Sequence, residues 1–387
     1  MNLDACGFRP SAGLRRWARI LCAVGAATLV VSAFFAPQRS WANLLLSAYL
    51  LLGMGLGATF FVALGHVTGA RWSVAFRRVP EAIAGVLPAA AIGLGAIFLL
   101  RPSLYPWTGA VVHAAGFKGA WLSLPFFYLR AAIYLALWIY LARRIVHASQ
   151  RQDRDGPASD RSKMIRPSAL FLVAFGLTFW LASIDWIMSL EPDWYSTVFG
   201  VYNFAGLFTG SLALIILLVI WLGRASVLRD FVTEEHLHDL GKLLFSFTTF
   251  WMYIWFCQYM LIWYANIPEE THYYVARLHG FWEPLFLLNI LLNWVVPFLV
   301  LQPKRTKRST GTLAKVAIVV LAGRWLDLYL MILPRTFGAT PLFGVAEMGA
   351  ILGVAGLLFL LFCRTLGRAP LVPLNDPFLR ESLEYHN

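Results

Sequence analysis

Long apolar runs separated by short clusters of charge set the pattern of this chain. A helix needs about 20 apolar residues to cross a bilayer. By that measure the runs predict spans near residues 17–36, 42–65, 81–100, 122–147, 167–190, 200–223, 241–266, 283–301, 312–333 and 341–363. The fold class expected is all-α, a polytopic membrane protein of about ten transmembrane helices. Residues 1–387 then form one integral membrane domain, with a polar linker at 149–166 and a polar tail at 364–387. Arg15, Arg16 and Arg19 ahead of Ile20–Ala36 give the start a signal-peptide look. The run exceeds the roughly 7–15 residues of a cleaved signal, so a retained first helix is expected.

Composition agrees with the pattern. Hydrophobic residues make up 59% of the chain and charged residues 13%, against about 25% charged in a soluble domain. The net charge of +12 would suggest nucleic acid if it were spread evenly, but it is not. Only Arg39, Arg101, Lys118, Arg277 and Arg335 fall on one set of connecting segments, while Arg130 and Arg324 lie inside spans. All remaining Lys and Arg belong to the alternate segments and the two termini. The positive-inside rule then puts both termini in the cytoplasm and explains the basic balance without a nucleic-acid partner.

Ionisable groups within hydrocarbon are costly and mark candidate function. Asp185 stands in the apolar part of Trp180–Phe208, where Trp186, Trp194, Tyr195 and Tyr202 surround a turn carrying Glu191 and Asp193. At 1.5 Å rise per residue, Arg130 and Asp185 come to comparable depths on consecutive helices, roughly 12–14 and 7–8 Å from the outer surface. Arg324 and Asp327, at i and i+3, share a helix face and compensate each other. Glu347 enters about 9 Å below the outer end of the last span, and Glu283 lies near the outer start of the eighth. Asp185 and Glu347 have no basic residue at i±3 or i±4. A carboxyl group with a pKa raised by desolvation can exchange protons near neutral pH. The proton-handling candidates are therefore Asp185, Glu347, Arg130, Arg324 and Asp327.

Other chemistry is sparse. Cys6, Cys22, Cys257 and Cys363 form no CxxC or haem-attachment pattern, and the three in apolar runs read as packing residues. His66 near one surface and His113, His272 and His279 near the other give no matched pair for a bis-histidine haem. His236 and His238, with Glu234, Glu235 and Asp239, could suggest a metal cluster, but a helix start capped by Thr233 accounts for them. Gly53/Gly57, Gly65/Gly69 and Gly349/Gly353 have the spacing that lets helix backbones approach.

The segment DWIMSLEPDWYSTVFGVY at Asp185–Tyr202 resembles the NrfD-like, or polysulfide-reductase-like, family of membrane subunits. It is most similar to the ActF type of alternative complex III, a quinol:electron acceptor oxidoreductase. TGARWSVAFRRVPEA at Thr68–Ala82, QYMLIWYANIPEET at Gln258–Thr271, RWLDLYLMILP at Arg324–Pro334 and LNDPFLRESL at Leu374–Leu383 extend the likeness over nearly the whole chain. The resemblance implies two four-helix bundles, a location in the bacterial inner membrane and both termini cytoplasmic. It implies no cofactor on this chain, with quinone or menaquinone as ligand. It also implies a paralogous NrfD-like subunit, multihaem cytochrome and iron–sulfur subunits as partners, the haem and iron–sulfur groups being theirs. Three functions remain open: a proton pathway or quinone-facing surface in such a complex, a secondary transporter, and a structural scaffold docked through its tail. Whether the chain takes part in catalysis is left open too.

Overall fold

The computed structural model describes residues 8, 10–109, 116–155, 161–225 and 227–385. Cys6, His113 and residues 156–160 of the expected linker lie outside them. Among the described residues there is no strand, and nine helices are long and apolar enough to cross a membrane. The long helices are α1 (Ala12–Phe35), α2 (Pro37–Thr68), α3 (Val74–Leu100), α4 (Leu124–Asp155) and α5 (Ser162–Trp186). They continue with α6 (Phe199–Arg224), α7 (Glu234–Ala265), α8 (Gly280–Leu301), α9 (Thr310–Ile332) and α10 (Val345–Leu366). The nine are all of these except α9, which carries Lys315, Arg324 and Asp327 along its 23 residues. The protein is thus an all-α polytopic membrane protein.

Helix ends follow local chemistry. Ser11 accepts from Leu14 N at the start of α1 and Ser309 from Thr312 N at the start of α9, and Pro37 occupies the first turn of α2, where no N–H partner is lost. Thr233 caps α7 reciprocally with His236, which accounts for that histidine as a helix-start residue. α2 ends on Gly69 at φ 68°, a left-handed residue that costs glycine little. Gly69 is therefore a cap, and its spacing from Gly65 carries no helix contact.

Helices α2–α5 pack as one group and α6–α9 as a second. α2 against α6 is the joint between the groups, and both helices are buried over 89% of their apolar windows. That burial fits their sequences, which are apolar all round rather than on one stripe. Gly57 makes the joint close: a Cβ there would stand 2.1 Å from Ser211 Oγ. α1 and α10 pack on each other at the flank. There a Cβ on Gly25 would stand 2.3 Å from Gly353 Cα, so the Gly349/Gly353 stripe serves contact within the chain.

Two expectations about polar segments change. α4 runs on to Asp155, because Ser149, Gln152 and Asp153 find partners in Arg77, Arg78 and Glu81 at the start of α3. The tail turns back onto its own chain. Asp376 meets Arg77 at 2.6 Å, Ser382 Oγ donates to Trp72 O, and Tyr385 donates to Asp239. These groups are engaged within the chain.

Candidate functional site

All five sequence candidates lie in buried ion pairs at the end opposite the arginine-rich one, but in three separate places. In the first bundle Arg130 of α4 holds Asp185 of α5 through two bonds of 2.9 Å. Trp121 Nε1 donates to the same carboxylate at 2.8 Å, and Arg130 donates back to Trp121 O at 2.9 Å. The guanidinium lies over the Trp121 and Phe126 rings, 4.0 and 4.5 Å from their centroids. Ser189 Oγ bonds Asp185 O at 2.5 Å and receives Trp107 Nε1, which fixes the end of α5. The pair is satisfied on every side.

Below Asp185 the interior turns largely apolar, apart from Tyr134 beside Arg130 and Thr178, which accepts from Trp138 Nε1 at 2.8 Å. Phe171, Phe175 and Phe179 stack along α5, with Trp138 and Phe60 against Phe175 and Tyr49 against Phe179. Tyr49 and Ser183, 3.4 Å apart, form a polar contact near the top of this column. His66, far below on α2, meets Ser168 through Nδ1 at 3.1 Å, and its buried Nε2 has no partner. No polar chain among the described residues joins Asp185 to His66.

Glu347 sits at the flank. It takes Arg39 Nε at 2.8 Å, Arg39 Nη2 at 2.5 Å and Asn43 Nδ2 at 2.8 Å, and it caps α10 by accepting from Gly344 N at 2.9 Å. Its partner arginine lies 308 positions away in sequence. Glu283 is exposed.

The second bundle holds the larger network. Arg324 Nη1 bonds Asp327 Oδ2 at 2.6 Å, and Arg324 Nη2 reaches Asn203 Oδ1 at 3.1 Å. Tyr202 OH and Asn289 Nδ2 donate to Asp327 Oδ1, and Trp251 Nε1 donates to Oδ2 at 3.4 Å. Asn293 Nδ2 extends the chain to Asn289 Oδ1 at 2.7 Å. Two sequence features make room. Gly206 leaves the space into which Arg324 reaches, since a Cβ there would stand 2.3 Å from Nη1. In α8, residues Leu291–Val295 form a π-turn, a departure that is frequent at functional positions. It brings Asn293 against Gly323.

Next to Asp327 is a cavity of about 10 Å³, lined by Tyr202, Gln258, Tyr274, Arg277 and Asn289 among others. That is the space of roughly one water, with enough polar neighbours to hold it. Arg277, in the short helix Pro268–Leu278, donates to Leu330 O, Tyr273 O and Glu191 Oε1 at 2.8, 2.8 and 2.6 Å. Burial opposes its charge, yet Tyr273 and Glu191 together hold its pKa above the ordinary value. Burial pushes the Tyr273 hydroxyl up to about 12. Gln258 joins Tyr274 and Ser196 at 3.0 and 3.1 Å. Glu191, partly open to solvent, heads one polar cluster, and the cavity lies between that cluster and the Asp327–Asn293 network, with no direct hydrogen bond joining the two among the described residues.

Sequence reasoning paired Arg324 with Asp327 but missed Asn203, Asn289, Asn293 and Arg277. Asn289 and Asn293, four apart in an apolar run, were the readable signal. At the same end, Phe281, Pro284, Trp325, Tyr329 and Phe343 line an open apolar groove of about 500 Å³. The Tyr329 hydroxyl is committed to Leu342 O, which leaves Thr340 and the Trp325 indole as polar groups there. Among the described residues no cluster of three His, Cys, Asp or Glu could hold a metal ion. Compared with known proteins, the chain matches no family model and no curated protein.

Proposed function

We propose that this chain is an NrfD-like membrane subunit of a quinol:electron acceptor oxidoreductase of the alternative complex III type, and that its second bundle handles protons. The observation that carries the reading is the Asp327 constellation. A buried carboxylate there has one arginine, three neutral donors and an adjoining water-sized cavity. Ionisable groups of this kind inside a membrane mark proton relays and ion or substrate pathways. Glu191 supplies the outer end of the route, and Asp327 is the inner group able to change charge. Quinone chemistry adds electron and proton transfer at a ring with two oxygens. The apolar groove beside Trp325 offers the surface for its tail, with Thr340 and the Trp325 indole as hydrogen-bond donors. Haem and iron–sulfur groups belong to partner chains in this reading. Purification through a tag on this chain in mild detergent tests it. Co-purifying multihaem cytochrome and iron–sulfur subunits, with a haem absorbance band, are expected. A lone, colourless protein would overturn the assignment.

A secondary transporter is the second reading, favoured by the π-turn of α8 against the Asp327 network. Discontinuous helices near buried polar groups are how transporters build substrate sites. Solute uptake by the purified protein alone in vesicles is the outcome this reading requires.

A further inference from the structure

At the arginine-rich end of the molecule, α3, α4 and the chain leaving α10 enclose a cleft of about 190 Å³ that the proton-handling reading does not use. Arg143, Val146, His147 and Gln150 line it from one face of α4, at i, i+3, i+4 and i+7. Arg368, just past α10, closes the opposite side. Both arginines are exposed, and neither has a carboxylate partner among the described residues. Glu81 also reaches the cleft, but Arg77, Arg78 and Ser149 already engage it at 3.3, 2.5 and 2.5 Å. The floor is different in kind. Leu87, Pro88, Ile139 and Ala142 are apolar and belong to membrane-spanning helices. Gly85 keeps α3 close to α10, because a Cβ there would stand 2.2 Å from Thr365 Oγ1.

We propose that this cleft is a binding site for the phosphate headgroup of an anionic phospholipid. Charge complementarity selects the head: among the described residues two guanidiniums without a carboxylate partner and an imidazole line one cleft where no free carboxylate competes, and guanidinium matches phosphate in a bidentate way. Continuity with the apolar floor selects a lipid over a soluble anion, since the occupant must be charged at one end and apolar at the other. Basic pockets between transmembrane helices at this level recognise such headgroups. A second notch on the other flank of α10, lined by Arg15, Arg19 and Arg364 beside Phe359 and Leu360, repeats the combination.

Native mass spectrometry of the detergent-purified full chain, in whatever assembly it brings, tests the site. Tetraoleoyl cardiolipin, dioleoylphosphatidylcholine and inorganic phosphate are titrated separately. Cardiolipin is expected to bind tightly and phosphatidylcholine weakly, with millimolar phosphate failing to displace the cardiolipin. Arg143→Gln/Arg368→Gln should weaken the tight cardiolipin event about 25-fold, from two surface arginines each worth about five-fold. Each single variant should give about five-fold, which secures the result if the double variant is poorly made. Lys304→Gln/Arg305→Gln, at the same end but outside the cleft, should leave binding unchanged. Equal cardiolipin binding by the Arg143/Arg368 variants, or equal affinity for phosphatidylcholine, overturns the site. Displacement by inorganic phosphate overturns the lipid and reassigns the cleft to a soluble anion.

Discussion

Arg130–Asp185 and Arg324–Asp327 look alike in isolation. Each is a buried arginine–carboxylate pair in the same half of the membrane, one in each bundle. Their surroundings differ. Asp185 meets Trp121 and Arg130, with Tyr134 beside the guanidinium, and then a column of stacked phenylalanines. Asp327 meets a tyrosine, an asparagine and a tryptophan, and beyond them a water-sized cavity, a glutamine and a second arginine. A buried charge pair is by itself weak evidence of function, because a satisfied pair can simply hold two helices in register. What separates a lock from a relay is whether the next polar group exists. The Asp327 surroundings hold more such groups and an adjoining cavity, so the proposed relay is assigned to the second bundle and Arg130–Asp185 is read as a lock.

The contrast breaks most sharply under paired substitution. Replacing Asp185 or Asp327 alone by Leu strands a buried guanidinium, and each should destabilise the fold by about 3–5 kcal/mol. Converting both partners to apolar residues of similar volume should recover most of that loss. Arg130→Met/Asp185→Leu is then expected to keep proton release in reconstituted vesicles of the intact assembly. Arg324→Met/Asp327→Leu is expected to fold but to lose it. Thermal unfolding and a proton assay on the same preparations decide the matter. Equal proton release by the two double variants would erase the distinction between the bundles.

Tyr202→Phe is a smaller perturbation. It removes one donor to the Asp327 carboxylate and keeps the ring packed against Phe199 and Trp251. Losing a hydrogen bond to a charged group costs about 1.5–3 kcal/mol, so a lower Tm and slowed proton release are expected, not abolition. Trp121→Phe is the matched change at Asp185, where one indole donor is lost. It should lower Tm to a similar degree and leave proton release untouched.

These differences were unevenly legible in the sequence. The spans were readable because hydrocarbon demands long apolar runs, and Arg324–Asp327 because i and i+3 share a face whatever the fold. Glu347 looked unpaired because its partner is Arg39, on a helix brought alongside only by the packing of α10 on α2. The 149–166 stretch looked like a linker because its charges suggested solvent. In the fold, Arg77, Arg78 and Glu81 receive its first residues and α4 continues. Neither the phenylalanine column nor the cavity could be anticipated, since both depend on which helices of a bundle face each other.

The smallest expected effect lies at the surface end of the proposed relay. Glu191 is partly exposed and binds Arg277 at 2.6 Å, while Arg277 keeps two backbone acceptors, Leu330 O and Tyr273 O. Glu191→Gln therefore removes a charge without stranding the guanidinium, and Gln can still accept the same hydrogen bond. Arg277 is buried, so the contact itself is not solvent-screened, but Gln keeps a neutral acceptor in place; the loss should be the difference between a charged and a neutral hydrogen bond, about 1–1.5 kcal/mol. If protons leave through this point, the variant should slow their release modestly, and salt should reduce the difference from the parent protein because the lost field is screened. The same substitution should leave Arg130–Asp185 untouched, since no bond links the two pairs. An unaltered release rate at low salt would mean that protons leave the cavity by another exit, and would move the outer end of the route from Glu191 to the Gln258–Ser196 side.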